Sequence, residues 1–245
     1  MKMKRKVLLI GNTRGLSDTP LDLLHVAKFL MSYQGGAWNA DEMVCLLNNS
    51  AADILKEVEK VKDEANDYVI VYFTGHGGLQ GDTIIEVNPA NELLSEKSLL
   101  GLSERQLNVM DCCRDVQTTP LPIYGSSRGM GAIEKDLRDK VRLDYETLVM
   151  GSAPQLVRMY SCSVGESSYG TGRNGSFYTC NLIGCTKDLL KTNDVVRVYQ
   201  CHAETAIKTA ADVLRERGMN QHPDIIPTKC LAQAELPIAL NSAFI

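Results

Sequence analysis

The chain has 245 residues, which is enough for one large domain with a full hydrophobic core. A net charge of -4 and a pI ≈ 5.6 give no electrostatic case for binding nucleic acid, and 44% hydrophobic with 23% charged residues is typical of a soluble globular protein. The eight cysteines include no C-x-x-C pair. Their spacing excludes a zinc site or a small disulfide-framed scaffold and favours free thiols in a cytoplasmic enzyme.

The first part of the chain alternates apolar runs with amphipathic segments. A basic start precedes an apolar run that is too short for a signal peptide, and residues 7–10 are predicted to form the first strand. Apolar residues at helical spacing predict a helix over 21–33, then a strand over 43–47 and a charged amphipathic helix over 51–64. This alternation predicts an α/β fold with a mainly parallel central sheet and helices on both faces.

Two further apolar runs are typical of strands buried on both faces, and each ends in polar residues. The run DYVIVYFTGHGG ends with Thr74 and His76, and the run QLNVMDCCRD ends with Asp111 and Cys113. Alternation puts Thr74 and His76 on one face, and likewise Asp111 and Cys113, while Cys112 points the opposite way.

A cysteine and a histidine at neighbouring strand ends are the minimum for a thiol nucleophile and its proton acceptor. The glycines around His76 allow backbone to approach a ligand closely. The alternative interpretation is structural: most free cysteines are small buried hydrophobes, and a histidine on an apolar segment is usually a satisfied core residue.

The remaining pattern predicts a surface hairpin at 82–87, a helix over 95–105, a strand over 155–163 and helices over 177–191 and 202–217. Between 116 and 153 the composition shifts. Residues 118–131 are rich in Pro, Gly and Ser and are predicted to be a loop, and a mixed charged stretch follows that suits a solvated loop with a short surface helix. His25, His202 and His222 are interpreted as structural.

The strings YFTGHGG and VMDCCRD, followed by VRMYSCSVGESS and GSFYT, resemble the caspase-like cysteine peptidases, which include caspases and metacaspases. The similarity extends from about residue 6 to 240. By this resemblance His76 is the catalytic base and Cys113, not Cys112, is the nucleophile. The backbone N–H groups of Gly77 and Cys113 are implied to form the oxyanion hole, and no acidic third member is evident. One departure is Arg114-Asp115 after the nucleophile, where metacaspases carry His-Ser-Gly and caspases Arg-Gly.

The resemblance also implies a specificity pocket. Asp111 stands where metacaspases carry an acidic pocket residue, so we expect it to face an Arg or Lys of the substrate, with Thr74 and Glu166 as further pocket residues. An unpaired carboxylate so close to the nucleophile would otherwise oppose thiolate formation. Metacaspases often carry a pocket Asp near the start of the first helix; the alignment places Val26 there, with Asp22 nearby as a weak substitute.

By the same resemblance the chain is one peptidase domain, with a large-subunit-like part (1–115), a linker (116–153) and a small-subunit-like part (154–245). The family's linker is cut on activation, which makes the chain a candidate zymogen that is cleaved autocatalytically or by an activating protease. The candidate cleavage sites are the basic residues Arg128, Lys135, Arg138, Lys140 and Arg142. The alternative is a chain that is active uncut.

The predicted function is therefore a cytoplasmic cysteine endopeptidase acting on protein or peptide substrates, without nucleic-acid or membrane partners. Three alternatives stay open: a catalytically silent binding or scaffold module, a peptidase that prefers Asp or Asn, and another thiol acyl transferase or amidase. No cofactor or metal site is predicted. Metacaspases often need calcium, but no ligand set for it is evident in the sequence.

Overall fold

The computed structural model describes residues 3–115 and 135–241. Its centre is a six-stranded sheet in which five neighbouring strands run parallel and the last, at one edge, runs antiparallel. In their order across the sheet the strands are β2 (Met43–Leu47), β1 (Arg5–Gly11), β3 (Tyr68–Thr74), β7 (Arg105–Asp111), β8 (Gln155–Tyr160) and β10 (Asp224–Ile226).

Helices cover both faces of this sheet. One face packs against a large core with contributions from α1 (Thr19–Met31), α3 (Lys135–Met150), α4 (Phe177–Leu189) and the start of α5 (Val198–Arg217). The other face packs against α2 (Ala51–Asp63) and the segments that precede β7. Central strands buried on both faces explain why their sequences are continuous apolar runs. The predicted α/β architecture is confirmed.

Two small antiparallel sheets accompany the central one. Strands β4 (Gly77–Gln80), β5 (Asp82–Glu86) and β6 (Leu93–Ser95) form a three-stranded sheet directly after His76, where the sequence predicted only a hairpin at 82–87. Strands β9 (Val195–Arg197) and β11 (Pro237–Leu240) form a two-stranded sheet that was not predicted. The β4–β6 sheet anchors the chain that leaves the histidine.

The predicted helix over 95–105 is wrong. Only a single 3-10 turn forms, at Glu96–Leu99, and Gly101 follows it with a positive φ of 69°. The carbonyl of Leu99 accepts hydrogen bonds from the side-chain amides of Gln106 (2.6 Å) and Asn108 (3.2 Å). These buried amides on β7 hold the turn against the sheet, so the chain cannot continue as a helix.

Helix α3 is longer and more deeply packed than the short surface helix expected after the 118–131 loop, which lies outside the described residues. Its side chains Val141, Tyr145 and Val149 are buried in the main core. The Tyr145 hydroxyl donates to the carbonyl of Pro237 at 3.2 Å. Residues 135–150 are therefore part of the folded domain.

Among the described residues, no helix is both long enough and apolar enough to cross a membrane.

Candidate active site

The ladder between β3 and β7 brings the two predicted catalytic segments together. Thr74 lies opposite Asp111 in the parallel register, and the Gly75 N–H donates to the Asp111 carbonyl at 3.2 Å. His76 and Cys113 each follow two residues beyond this matched pair. They therefore leave adjacent strands at the same edge of the sheet, the edge at which open α/β sheets carry their sites.

The two neighbouring cysteines point to opposite sides of the sheet, as alternation predicted. Cys112 is 1% exposed and packs in the core on the α2 side, together with Met110. Cys113 is half-buried on the other side. A Cβ added to Gly77 would lie 2.6 Å from the Cys112 sulfur and 2.8 Å from the Cys113 carbonyl oxygen. A side chain at this position is therefore excluded, and the backbone that follows His76 lies close to Cys112 and Cys113.

The ring of His76 is held by backbone, and among the described residues no acidic side chain is hydrogen-bonded to it. Its Nε2 lies 2.6 Å from the carbonyl oxygen of Arg14. Because a carbonyl only accepts, Nε2 carries the hydrogen and Nδ1 keeps the lone pair. No hydrogen bond joins His76 and Cys113 within the described parts of the chain. Catalytic hydrogen bonds are often loose in unliganded enzymes and tighten only with substrate.

The Cys113 thiol is covered by a segment that follows β8. The Ser168 N–H donates to the sulfur at 3.4 Å, and the thiol lies 3.7 Å from the Ser168 carbonyl oxygen. Burial raises the pKa of the Cys113 thiol, and the carboxylate of Asp115 raises it further, against the opposing effect of the Ser168 N–H. The thiol is therefore protonated in this state and needs a base to become a nucleophile.

The turn after Cys113, which the sequence left uncertain, is built on Arg114. Its N–H donates to the carbonyl of Glu166 at 3.0 Å, and its guanidinium carbon lies 3.9 Å from the centre of the Tyr160 ring. The guanidinium also donates to the carbonyl of Cys162 (3.5 Å) and pairs with Asp224 (3.4 Å). Arg114 thus fixes the backbone beside Cys113 to the ends of β8 and β10.

Asp111 lies at the base of the site on the Cys113 side of the sheet, and it is buried. Its carboxylate accepts hydrogen bonds from the hydroxyls of Ser168 (2.9 Å), Thr179 (2.7 Å) and Ser176. Burial raises the pKa of this carboxyl, and the hydroxyl donors counteract only part of the rise. The group is held by neutral donors alone.

A second buried carboxylate near Asp111 comes from the start of α1, and it is that of Asp22. The side chain of Val26, which the alignment had favoured, packs in the hydrophobic core instead. Asp22 is 1% exposed, and its two oxygens accept from the Ser176 N–H (2.8 Å) and the Thr74 hydroxyl (3.1 Å). Burial and the neighbouring Asp111 raise the pKa of Asp22 well above its ordinary value.

Ser176 therefore bridges the two acids: its N–H binds Asp22 and its hydroxyl binds Asp111. Within the described chain, neither carboxylate forms an ion pair. The sequence did carry a signal for Asp22, because it shares the apolar stripe of α1 with Val26 and Phe29 at helical spacing. A carboxylate within a buried stripe is a candidate for function. Thr74, predicted as a pocket residue, lies beneath this pair.

Glu166, also predicted to line the pocket, contacts a different group. Its carboxylate accepts from the N–H (2.7 Å) and the Nδ1 (2.6 Å) of His222. Although partial burial acts to raise it, the pKa of Glu166 is lowered by these contacts with His222. Gln221, which precedes His222, donates to the carbonyl of Ser161 (2.8 Å) and accepts from the Tyr169 N–H (2.9 Å). This cluster holds the segment that covers Cys113.

The five candidate cleavage sites differ in their structural surroundings. Arg128 lies outside the described residues, and Lys135 begins α3. Arg138 donates to the carbonyls of Met31 and Trp38. Arg142 is buried and pairs with both Glu42 (2.7 Å) and Glu146 (2.9 Å), and Lys140 lies on the exposed side of the same helix.

Within residues 3–115 and 135–241, no group of three or more His, Cys, Asp and Glu side chains is arranged to hold a metal ion.

Comparisons with known proteins identify the family to which the chain belongs. The family model described as caspase domain matches residues 4–231, so the chain belongs to the caspase domain family of peptidases. Among solved structures, the crystal structure of caspase-1 from Spodoptera frugiperda is similar, with a TM-score of 0.58 and 12% sequence identity. The match covers 92% of this chain and 86% of that chain. At this identity it shows a shared fold only. No curated protein sequence matches the chain.

Proposed function

We propose that the protein is a cysteine endopeptidase that uses His76 and Cys113 as its catalytic dyad and cleaves after arginine or lysine. The observation that carries the substrate preference is the pair of buried carboxylates, Asp22 and Asp111, joined through Ser176 on the nucleophile's side of the sheet.

Two buried carboxylates without a cation are costly, because burial and mutual repulsion both penalise the charged forms. The raised pKa values of Asp22 and Asp111 express this cost. A guanidinium or ammonium group placed between them would offset both terms and add charge-assisted hydrogen bonds. A substrate carboxylate would add a third negative charge, so a preference for Asp is disfavoured.

The chemistry follows from the groups beside the pocket. The neutral thiol of Cys113 would transfer its proton to Nδ1 of His76 and attack the carbonyl carbon of the peptide bond. The proton would then move to the leaving amine, and water would hydrolyse the acyl-enzyme. For the oxyanion we propose the backbone N–H groups of Gly77 and Cys113, in line with the close approach of Gly77 to the nucleophile's backbone.

The described state is closed, and this supports a requirement for activation. Ser168 contacts both the thiol and Asp111, and Ser176 contacts both acids. A substrate side chain has to displace Ser168 before it can reach the carboxylates. Cleavage near Arg128 is the proposed trigger, because Arg138, Lys140 and Arg142 lie within a folded helix that a protease would first have to unwind.

The test is hydrolysis of fluorogenic peptides that end in Arg, Lys, Asp or Asn, by the uncut protein and by protein cut at the linker. We expect cleavage after Arg and Lys, and none by the Cys113→Ala protein. Cleavage after Asp or Asn would contradict the proposed pocket, and a lack of any Cys113-dependent activity in both forms would support a silent scaffold.

A further inference from the structure

Three residues from separate segments form a closed ring of hydrogen bonds behind the catalytic histidine. The Nε2–H of His76 donates to the carbonyl of Arg14 at 2.6 Å. The guanidinium of Arg14 donates to the carboxylate of Glu86 at 2.9 Å. The N–H of Glu86 donates back to the carbonyl of His76 at 2.9 Å. Glu86 thus contacts the histidine directly through backbone and indirectly through Arg14.

Asn12, at the end of β1, fixes this ring from behind. Its side-chain amide donates to the Glu86 carboxylate (2.9 Å) and to the Glu86 carbonyl (3.0 Å), and its side-chain oxygen accepts from the Arg14 N–H (3.0 Å). Asn12 is fully buried and Glu86 is 5% exposed. Both ends of the Arg14–Glu86 ion pair therefore have little rotational freedom.

The position of this ion pair needs a reason beyond stability. Burying two charges costs desolvation energy, and apolar residues of similar volume often serve stability as well or better. The Arg14 carbonyl lies on a short turn, in which the Leu16 N–H donates to the Thr13 carbonyl at 3.0 Å and Gly15 is exposed. Side chains hold this turn at two further points: Asn48 accepts from the Thr13 N–H at 2.9 Å and Asn12 accepts from the Arg14 N–H at 3.0 Å. The contact with Glu86 is the charged one among them.

We propose that Arg14 and Glu86 are positioning residues for His76. Their ion pair holds the Arg14 carbonyl against Nε2, which keeps the hydrogen on Nε2 and leaves Nδ1 unprotonated to accept the proton of Cys113. Without the ion pair the Arg14 carbonyl loses its charged anchor, both neutral tautomers become populated, and the ring loses its orientation. The catalytic consequence rests on the proposed peptidase function, but the effect on the tautomer does not.

The decisive variant is Arg14→Ala, because it removes the guanidinium and leaves the carbonyl in the chain. General base catalysis contributes about 10²–10⁴-fold to rate, so partial loss of a correctly placed base should lower kcat by about 10–100-fold. KM for an Arg peptide should change by less than about twofold, since the substrate pocket is untouched. Arg14→Lys, which keeps the charge, should restore most of the activity. A merely structural role would predict no such separation of kcat from KM.

The matched control is Lys97→Ala. Lys97 forms an ion pair at 2.6 Å with Asp82, which lies on β5 as Glu86 does. Lys97 is exposed, and neither residue of this pair belongs to the ring of hydrogen bonds described above. Its removal should leave kcat unchanged. Should Arg14→Ala fail to fold, the double variant Arg14→Gln with Glu86→Gln removes both charges together and leaves none unpaired.

A second readout does not depend on activity. In protein with Cys113→Ala, long-range ¹H–¹⁵N correlations of His76, recorded where the imidazole is neutral, should report a hydrogen on Nε2. After Arg14→Ala or the double substitution the signals should shift towards a mixture of tautomers. A folded variant that keeps both the Nε2–H signature and the parent kcat would overturn the proposal. If the parent protein shows no peptidase activity but the variants show the change of tautomer, the proposed function is wrong and this inference still holds.

Discussion

Asp22 lies on α1 and Asp111 at the end of β7, yet both carboxylates are buried and both accept hydrogen bonds from Ser176. One residue thus spans two acids that repel each other. Burial and the neighbouring Asp111 both disfavour the charged form of Asp22, and under the proposed function a cationic substrate side chain would offset both effects.

The dyad is tested by comparing three single substitutions. Cys113→Ala and His76→Ala should each lower peptide hydrolysis by about 10³-fold or more, while Cys112→Ala should retain most of it, because Cys112 packs in the opposite core. Circular dichroism would establish that all three variants fold. An inactive Cys112→Ala protein together with an active Cys113→Ala protein would show that the nucleophile has been assigned to the wrong cysteine.

Substrate preference should depend on Asp111. Asp111→Asn keeps the shape of the side chain and removes its charge, so kcat/KM for Arg and Lys peptides should fall by about 10–100-fold, the equivalent of a charge-assisted contact of roughly 1.5–3 kcal/mol. Hydrolysis of a peptide with a neutral residue at the same position should change little. Equal losses on charged and neutral peptides would mean that Asp111 has a structural role only.

The same acids should cost stability at neutral pH. The folded-state pKa of Asp22 is raised above its ordinary value of 3.8 by burial and by Asp111, so the native state binds this proton more tightly than the unfolded chain. Its stabilising contribution is complete below pH 3.8 and is lost as the pH rises through the folded pKa. Asp22→Asn should therefore raise the melting temperature at neutral pH and not below pH 3.8.

At this chain length a gain of about 1 kcal/mol corresponds to roughly 2–4 °C. Calorimetry of wild type and Asp22→Asn across this pH range is the measurement, with loss of cleavage after Arg as the companion result. A variant that is less stable than wild type at neutral pH would mean that the Asp22 carboxylate is not repelled by Asp111.

Reactivity of the nucleophile should respond to Asp115. Burial raises the pKa of the Cys113 thiol most, the Ser168 N–H opposes it, and the Asp115 carboxylate, which accepts from the Ser167 hydroxyl, raises it further. Asp115→Asn should lower that pKa and speed alkylation of Cys113 by iodoacetamide at neutral pH by about two- to tenfold. Mass spectrometry of the Cys113 peptide follows the rate, with Cys45, which is exposed and far along the chain, as the internal control. An unchanged rate would exclude the like-charge effect.

Activation by cleavage should require Arg128 and not Arg138. Arg138→Ala removes contacts to the carbonyls of Met31 and Trp38 but leaves the remaining basic residues in place. Mass spectrometry of purified wild type, Cys113→Ala, Arg128→Ala and Arg138→Ala should show fragments split near residue 128 in the first and fourth proteins only. An uncleavable Arg128→Ala protein with full peptidase activity would remove cleavage from the account.

The strand ends could be predicted from the sequence because they depend on local patterns. The two apolar runs and their alternation are enough to place His76 and Cys113 just beyond the ends of two strands and to point Cys112 to the opposite face. The second carboxylate depends on how α1 docks, and a shift of one helical turn separates Val26 from Asp22. The apolar stripe of α1 includes both residues, but which of them faces Asp111 is set by packing over the whole core and cannot be read from the helix sequence itself.

The other misses have similar causes. The 95–105 segment has apolar residues at near-helical spacing, but the amides of Gln106 and Asn108 hold the Leu99 carbonyl and end the turn. Strands β9, β10 and β11 have three or four residues each, too few for a visible period. The buried face of α3 could not be predicted from apolar spacing, because this face includes the charged residue Arg142. Its charge is balanced in the folded protein by Glu42 and Glu146.

The central claim is that Cys113 attacks the carbonyl of a basic residue held by Asp22 and Asp111. Its most direct measurement is covalent labelling with a peptidyl chloromethyl ketone that ends in Arg, beside the same reagent ending in Asp, followed by mass spectrometry of the digested protein. The account predicts that the Arg reagent modifies Cys113 in wild type, that labelling is strongly reduced in Asp111→Asn, and that the Asp reagent leaves Cys113 unmodified. Preferential labelling by the Asp reagent, or an adduct of the Arg reagent on another cysteine while Cys113 stays free, would contradict it.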